Sequence, residues 1–164
     1  MNPPSNMFQT IGEYLAEADW HFDSDPDGTL FAGSVTGDHC TWQVLITIDD
    51  DPEVRRVTVE SRLPAKVPAP RRLAAAEALA RLNYEFAAGS FVLNMRDGNI
   101  SFRSSVDLVD AELTSAMFER LLNLSVSLTD EYFPVIMSVI YGGEDASTVT
   151  VTRHAGQPEG EALQ

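Results

Sequence analysis

The sequence has one cysteine, Cys40, so it can form no intrachain disulfide and no cysteine-based metal cluster. It has no apolar run near the ~18–20 residues a membrane-spanning helix needs, and the stretch from Phe133 to Tyr141 is too short. Basic residues are scarce: 11 Lys and Arg against 25 Asp and Glu give a net charge of −14. That balance argues against nucleic acid as a partner, because phosphate contacts need clustered cations. The first twenty residues contain no Lys or Arg, which leaves no basic start for a secretory signal. The expectation is a soluble, cytoplasmic protein with no membrane contact. Nucleophile elbow, phosphate-binding glycine loop, dinucleotide fingerprint and zinc-protease helix are all missing, and the three histidines show no metal-ligand spacing. Neither a cofactor nor an enzymatic activity is expected.

What is present is one domain's worth of patterned chain. The 164 residues are 44% apolar, enough for a single core. Phe8, Ile11, Leu15 and Ala18 recur at helical spacing after a polar leader in which Ser5 or Asn6 could cap the helix. Trp20 and Phe22 straddle His21 and suggest a chain turned extended. Thr29 to Thr36 reads as a strand. Trp42, Val44, Ile46 and Ile48 alternate with polar residues and make residues 40–49 the clearest one. A third strand is expected over residues 54–63, with Pro64, Pro68 and Pro70 marking its exit. Residues 71–86 are Ala-rich and helical, with Leu79, Leu82 and Phe86 on one face.

From Leu82 to Val106 the chain then encodes a helix end, a stop at Gly89, a strand, a turn at Asp97-Gly98 and a return strand. A two-residue turn there pairs Arg96 with Asn99, Met95 with Ile100 and Leu93 with Phe102. Asp110 is expected to cap a long final helix whose apolar residues run from Leu113 to Val139, with Pro134 inside it as a kink or junction. Gly142-Gly143 stops that helix. Ser147 to Val151 could add an edge strand, and residues 154–164 read as a disordered tail. The predicted fold is α+β, a single antiparallel sheet of about five strands with helices packed on it, in the order α-βββ-α-ββ-α. The domain spans residues 6–142, followed by a largely disordered extension over residues 143–164.

Charge is unevenly distributed. Residues 1–60 carry 12 acids and 2 bases, residues 61–105 carry 3 acids and 7 bases, and residues 106–164 carry 10 acids and 2 bases. The middle third, with Arg62, Lys66, Arg71 and Arg72, is either a local basic surface or a set of cations balancing nearby acids. Asp23, Asp25, Asp27 and Gly28 resemble the start of a calcium loop. The twelfth position is Ser34 where a bidentate Glu is required, so a solvated acidic turn is the favoured reading and no metal is expected. His39 and Cys40 are neighbours at the start of a strand and point to opposite faces, which prevents them from acting as base and nucleophile.

Several of these features carry a resemblance in their order and spacing: Phe8 and Ile11 with Tyr14 and Leu15; Trp42; Val67-Pro68 followed by Arg71 or Arg72; Leu79-Ala80-Arg81-Leu82-Asn83; Gly89 and Phe91; Asp97-Gly98; Phe102-Arg103; and Tyr132-Phe133-Pro134. Over residues 6–142 the chain resembles the YbjN-like family, described as bacterial sensory transduction regulators, whose fold is similar to that of type III secretion chaperones. The resemblance implies a chaperone-like, non-enzymatic regulator or adaptor that holds a segment of a protein partner, and it supplies no catalytic residues. The alternative is a small-ligand or metal-responsive sensor. The breadth of the apolar surface on the final helix predicts a homodimer through that helix or an adjoining sheet edge. The candidate protein-binding residues are Lys66, Arg71 and Arg72, taken as exposed cations, with Met117, Phe118 and Tyr132 on the final helix. Millimolar calcium is expected to leave the melting temperature unchanged; a saturable rise that Asp25→Asn abolishes would make the acidic turn a metal site.

Overall fold

The computed structural model describes residues 6–150. Residues 1–5 and 151–164 lie outside it, and with them Ser5 as a possible cap and the expected tail. Helix α1 (Asn6–Glu17) is followed by strands β1 (Phe22–Ser24), β2 (Leu30–Thr36), β3 (Thr41–Asp49) and β4 (Arg56–Lys66). After a 3-10 turn at Ala69–Arg71 come α2 (Arg72–Glu85), β5 (Ser90–Leu93), β6 (Asn99–Asp107) and α3 (Ser115–Ile140). The strands form one antiparallel sheet in the order β1-β2-β3-β4-β6-β5. The α+β class and element order agree with the sequence reading. The sheet has six strands because the extended turn after α1 pairs with β2 as β1, a strand too short to show alternation.

One face of the sheet carries the core. Phe31 pairs with Ile46 and Ile46 with Val59, while Val35 pairs with Trp42 and Phe91 with Phe102, so these side chains share a face. Helix α3 lies across β4 and β6 on that face, with α1 against its N-terminal part and α2 against its C-terminal part. Tyr14 of α1 meets Phe118 edge to face at 5.4 Å. At the other end Phe86 contacts Phe91, Phe102 and Tyr132, at 6.0, 6.0 and 5.4 Å between ring centroids. Between the two clusters the contact is polar and small. Ser61 on β4 and Ser125 on α3 are fully buried, their hydroxyls 2.9 Å apart, and Ser104 on β6 donates to the Leu121 carbonyl at 3.2 Å.

Several local expectations are corrected. The β5–β6 register pairs Leu93 with Ile100 and Phe91 with Phe102, not Leu93 with Phe102. The connection is a four-residue loop closed by Asn94 N–H donating to Asn99 at 2.9 Å and Gly98 N–H donating to Asn94 at 2.8 Å. The longer loop keeps Leu93, Ile100 and Phe102 on one face but leaves Met95, expected opposite Ile100, exposed in the loop. Gly98 sits at φ +78°, and a Cβ there would run into the Val67 carbonyl oxygen, so the loop tip docks against the end of β4. Gly89 does not end α2; the helix stops at Glu85, and Gly89 immediately precedes β5 where a Cβ would run into the Phe102 ring.

Strand β4 runs on through Pro64 to Lys66. It bulges there, so that three residues, 63–65, stand opposite Ile100 alone. Proline has no N–H for the ladder, and a bulge is where a strand tolerates it. Thr114, not Asp110, caps α3, its hydroxyl accepting from Met117 N–H at 3.2 Å. The helix is a single element through Pro134. The segment after it forms a 3-10 turn at Ala146–Thr148 that buries Ala146 and Val149, in place of the expected edge strand.

Ser125→Ala strands a buried hydroxyl on Ser61 and is expected to cost about 1–3 kcal/mol in urea unfolding. Ser61→Ala combined with Ser125→Ala should cost less than the sum of the two single changes, because no orphaned group remains. Strict additivity would mean that the pair is not coupled.

Candidate protein-binding surface

Because all three helices cover one face, none of the described helices packs on the opposite face of the sheet. Its side chains line up in rows set by the register. One row runs Ser34, Gln43, Arg62, Ser101, Val92, and the next Ala32, Leu45, Glu60, Arg103, Ser90. The charges gather over β4 and β6. Glu60 accepts from the Ser101 hydroxyl at 2.8 Å and faces Arg103 at 3.4 Å and Arg62 at 3.5 Å. Partial burial pushes the Glu60 carboxyl up, but the Ser101 hydroxyl and the two guanidiniums outweigh it and hold it below its ordinary range. Beside this trio the β4 bulge opens a cleft of about 370 Å³ with Arg62, Arg103, Asn94 and Asn99 at its rim and Leu63 and Ile100 in its lining.

The two sheet edges differ. The outer edge of β5 is occupied by an α2 side chain. Asn83 donates from Nδ2 to the Phe91 carbonyl at 2.9 Å and accepts the Phe91 N–H on Oδ1 at 2.8 Å. The primary amide thus imitates an adjoining strand and blocks that edge. The other edge is β1, whose sequence Phe22-Asp23-Ser24 is short and acid-bearing. On the outer side of α2 a shallow groove of about 650 Å³ runs between Ala80, Tyr84 and Val149, with Leu73 and Tyr84 strongly exposed.

The residues singled out in the sequence fall in different places. Lys66 is exposed on β4 opposite Asn99. Arg71 and Arg72 are half-buried instead of exposed. Arg71 donates to the Val139 carbonyl at the end of α3, and Arg72 to the carbonyls of Met95 at 3.0 Å and Arg96 at 3.1 Å. Both guanidiniums bind backbone within the fold. Phe118 and Tyr132 lie in the core, and Met117 is half-buried beside α1. They do not form one surface with the three cations.

Asp25 accepts from the N–H of Thr29 and of Leu30, each at 2.8 Å, and from the Thr29 hydroxyl at 2.7 Å. Its carboxylate thus closes the turn that also contains Asp27. Asp23, on β1, pairs with Ala32. Among the described residues no group of three or more His, Cys, Asp or Glu could hold a metal ion. His39 faces Asp130, whose carboxylate also accepts the N–H groups of Asp38 and His39, so this pair fastens the β2–β3 turn to α3. The trio of Glu60, Arg62 and Arg103 was not assembled from the sequence. Alternation puts Glu60 and Arg62 on one face of β4, but the neighbour of β4 in the sheet had to be known before Arg103 could join them.

An open-faced antiparallel sheet with a single layer of helices, charged at one end of its free face, defines a class of α+β domain whose accessible features are surfaces. The family model described as "Putative bacterial sensory transduction regulator" matches residues 8–137, and the chain belongs to this YbjN family. No curated protein gives a significant match. Among solved structures the chain is similar to YbjN from E. coli, with a TM-score of 0.55 and 14% identity over 82% of this chain and 90% of that one. It is also similar to a chain of the HopA1-SchA chaperone-effector complex, with a TM-score of 0.53 and 14% identity over 79% and 98%. A chain of the ExsC-ExsE complex gives 0.56 and 16% over 83% and 97%. The fold is thus that of YbjN and of chains found in such complexes.

Asn83→Ala removes both hydrogen bonds to Phe91 and is expected to destabilise the domain by about 2–3 kcal/mol, from ~1–1.5 kcal/mol per bond. Freed of its amide, the β5 edge should also raise self-association in light scattering. Unchanged urea midpoint and mass would show that the amide does not guard the edge.

Proposed function

We propose that this protein is a non-enzymatic, cytoplasmic protein-binding module, a sensory regulator or chaperone-like adaptor that holds a segment of another protein. The observation that carries the reading is the sheet covered by helices on one face only, in a chain of the YbjN family. Such a domain has spent its central helix stripes on its own core and presents a patterned sheet surface outward, with the β5 edge closed by Asn83 and the short β1 edge left. Those are the features through which an extended segment is recognised, by hydrogen bonding along an edge and by side-chain contacts in alternate positions. Chains of this fold occur in complexes named for a chaperone and its effector, which supports the same direction. No helix among the described residues is long and apolar enough to cross a membrane.

A homodimer remains part of the proposal. The central stripe of α3 is occupied by its own sheet, while the half-buried Met117, Leu121, Leu124 and Leu128 run along its flank. The test is affinity capture from native lysate, identification of what survives moderate salt, and reconstitution with the purified partner by calorimetry. One saturable, stoichiometric partner is expected. A protein that captures nothing reproducible, or whose partner fails to bind once purified, would overturn the reading. The same preparation gives the mass by light scattering, and a monomer at micromolar concentration would remove the second copy from the list of partners.

A further inference from the structure

The free face of the sheet carries positive charge on a protein that is otherwise strongly acidic. Arg62 and Arg103 share one carboxylate, that of Glu60, at 3.5 and 3.4 Å, and both are about half exposed. Two guanidiniums against one carboxylate leave a unit of positive charge and most of their donors facing solvent. Lys66 extends the cationic side opposite Asn99, with no ion pair to another of the described residues. The acids at either end of this patch are already engaged: Asp107 by Arg56 at 3.6 Å, and Asp97 by the N–H and side-chain amide of Asn99 at 2.9 and 2.7 Å.

The acidic end of the sheet is too far away to cancel this. Asp23 lies on β1, four strands from Arg103 on β6. At ~4.8 Å per strand that is about 19 Å, roughly two Debye lengths in physiological salt. The local field at β4–β6 is therefore cationic although the chain as a whole is not. Next to the guanidiniums the β4 bulge leaves a recess whose apolar side chain on this face is the half-buried Val92, and half-buried Leu45 continues the Glu60–Arg103 row toward β2. A guanidinium pair flanked by Leu45 on one side and Val92 on the other suits a segment that brings a carboxylate and an apolar side chain to the same face.

We propose that this cleft is the docking site for an acidic segment of the protein partner, an extended stretch in which a Glu or Asp and an apolar residue stand two apart and so share a face. A partner carboxylate engages Arg62 and Arg103 in the place Glu60 now holds alone, and the apolar residues two positions to either side lie on Leu45 and Val92. The inference rests on the protein-binding reading and adds the chemistry of what is bound. Nucleic acid is the weaker candidate for the same cations, because its charge density meets the repulsion of the whole −14 chain.

The test uses fluorescence anisotropy with the full chain and a labelled peptide in which Glu and Leu take turns at every second position with Thr between them, against the same peptide with Gln for Glu. The acidic peptide is expected to bind at least ten-fold more tightly at ~0.1 M salt, with the preference shrinking as salt rises. Arg62→Glu with Arg103→Glu should abolish the preference, while Arg81→Glu on the outer face of α2, where Arg81 pairs with Glu77, should keep it. Glu60→Gln frees both guanidiniums and should tighten the acidic peptide by up to about five-fold, the equivalent of releasing a ~1 kcal/mol exposed ion pair. A gain of binding cannot come from unfolding. Equal binding of the two peptides, a preference that survives the double Arg variant, or weaker binding by Glu60→Gln would each overturn the proposal. So would inorganic phosphate or a DNA duplex competing as well as the acidic peptide, since the site would then be a general anion site. A captured partner that still binds the double Arg variant refutes this face alone and leaves the protein-binding reading standing.

Discussion

The close crossing of α3 over β4 at Ser61 and Ser125 is the contact on which the rest of the structure depends. A helix that packs through Leu or Phe stands off a sheet by the bulk of those side chains. Here two buried hydroxyls meet at 2.9 Å, so the helix is let down onto the strands at that one level. The large residues are displaced to either side: Trp42, Phe118 and Phe31 toward α1, and Phe102, Tyr132 and Phe91 toward α2. Each cluster then needs its own cover, which α1 and α2 supply. Because the cover is complete on that face, the other is left to solvent, and its row of Thr, Ser, Gln, Glu and Arg follows. The small polar crossing and the free sheet surface are two ends of one arrangement.

Helix α2 shows how little apolar area can hold an element when polar side chains fix its ends. Its buried face is Ala75, Ala78, Leu79 and Leu82. Two alanines contribute a fraction of the ~1.5–3 kcal/mol that each buried Leu supplies. Arg72 at its first turn binds the loop carbonyls of Met95 and Arg96, and Asn83 near its last turn binds both backbone groups of Phe91. Both clamps reach the β5–β6 hairpin, so helix and hairpin form one unit joined at two points. The cations that a charge count would place on the surface, Arg71 and Arg72, are largely consumed in this fastening. The positive charge left for a partner therefore sits on the sheet, at Arg62 and Arg103.

The features legible in the sequence were those that depend on neighbours along the chain. Alternation marked β3, apolar spacing marked α1 and α3, and alanine content marked α2. Where the reading slipped, a contact from elsewhere decided the outcome. Asp97-Gly98 fits a two-residue turn, but the Val67 backbone and Arg72 grip the loop tip and favour four residues. Pro64 reads as the end of a strand, yet β6 holds β4 to Lys66 around a bulge. Thr114 outcompetes Asp110 as a cap because Leu113, immediately before it, is buried and fixes where the helix must begin. Asn83 stood in a recognisable motif without a visible job, since its partner, Phe91, is reached only once α2 has folded back beside β5.

The same logic explains why composition misleads about the partner. A net charge of −14 describes the average surface, and an average repels acidic ligands at long range. Recognition happens within a Debye length, where two guanidiniums facing one carboxylate outvote acids several strands away. The long-range repulsion still acts, and it works against loosely bound polyanions that must lie across the whole surface. A short acidic segment placed at the β4 bulge meets only the local field. An acidic body with a small cationic cleft is thereby more selective than a basic protein would be, because the remainder of its surface rejects the ligands that only the cleft can accept.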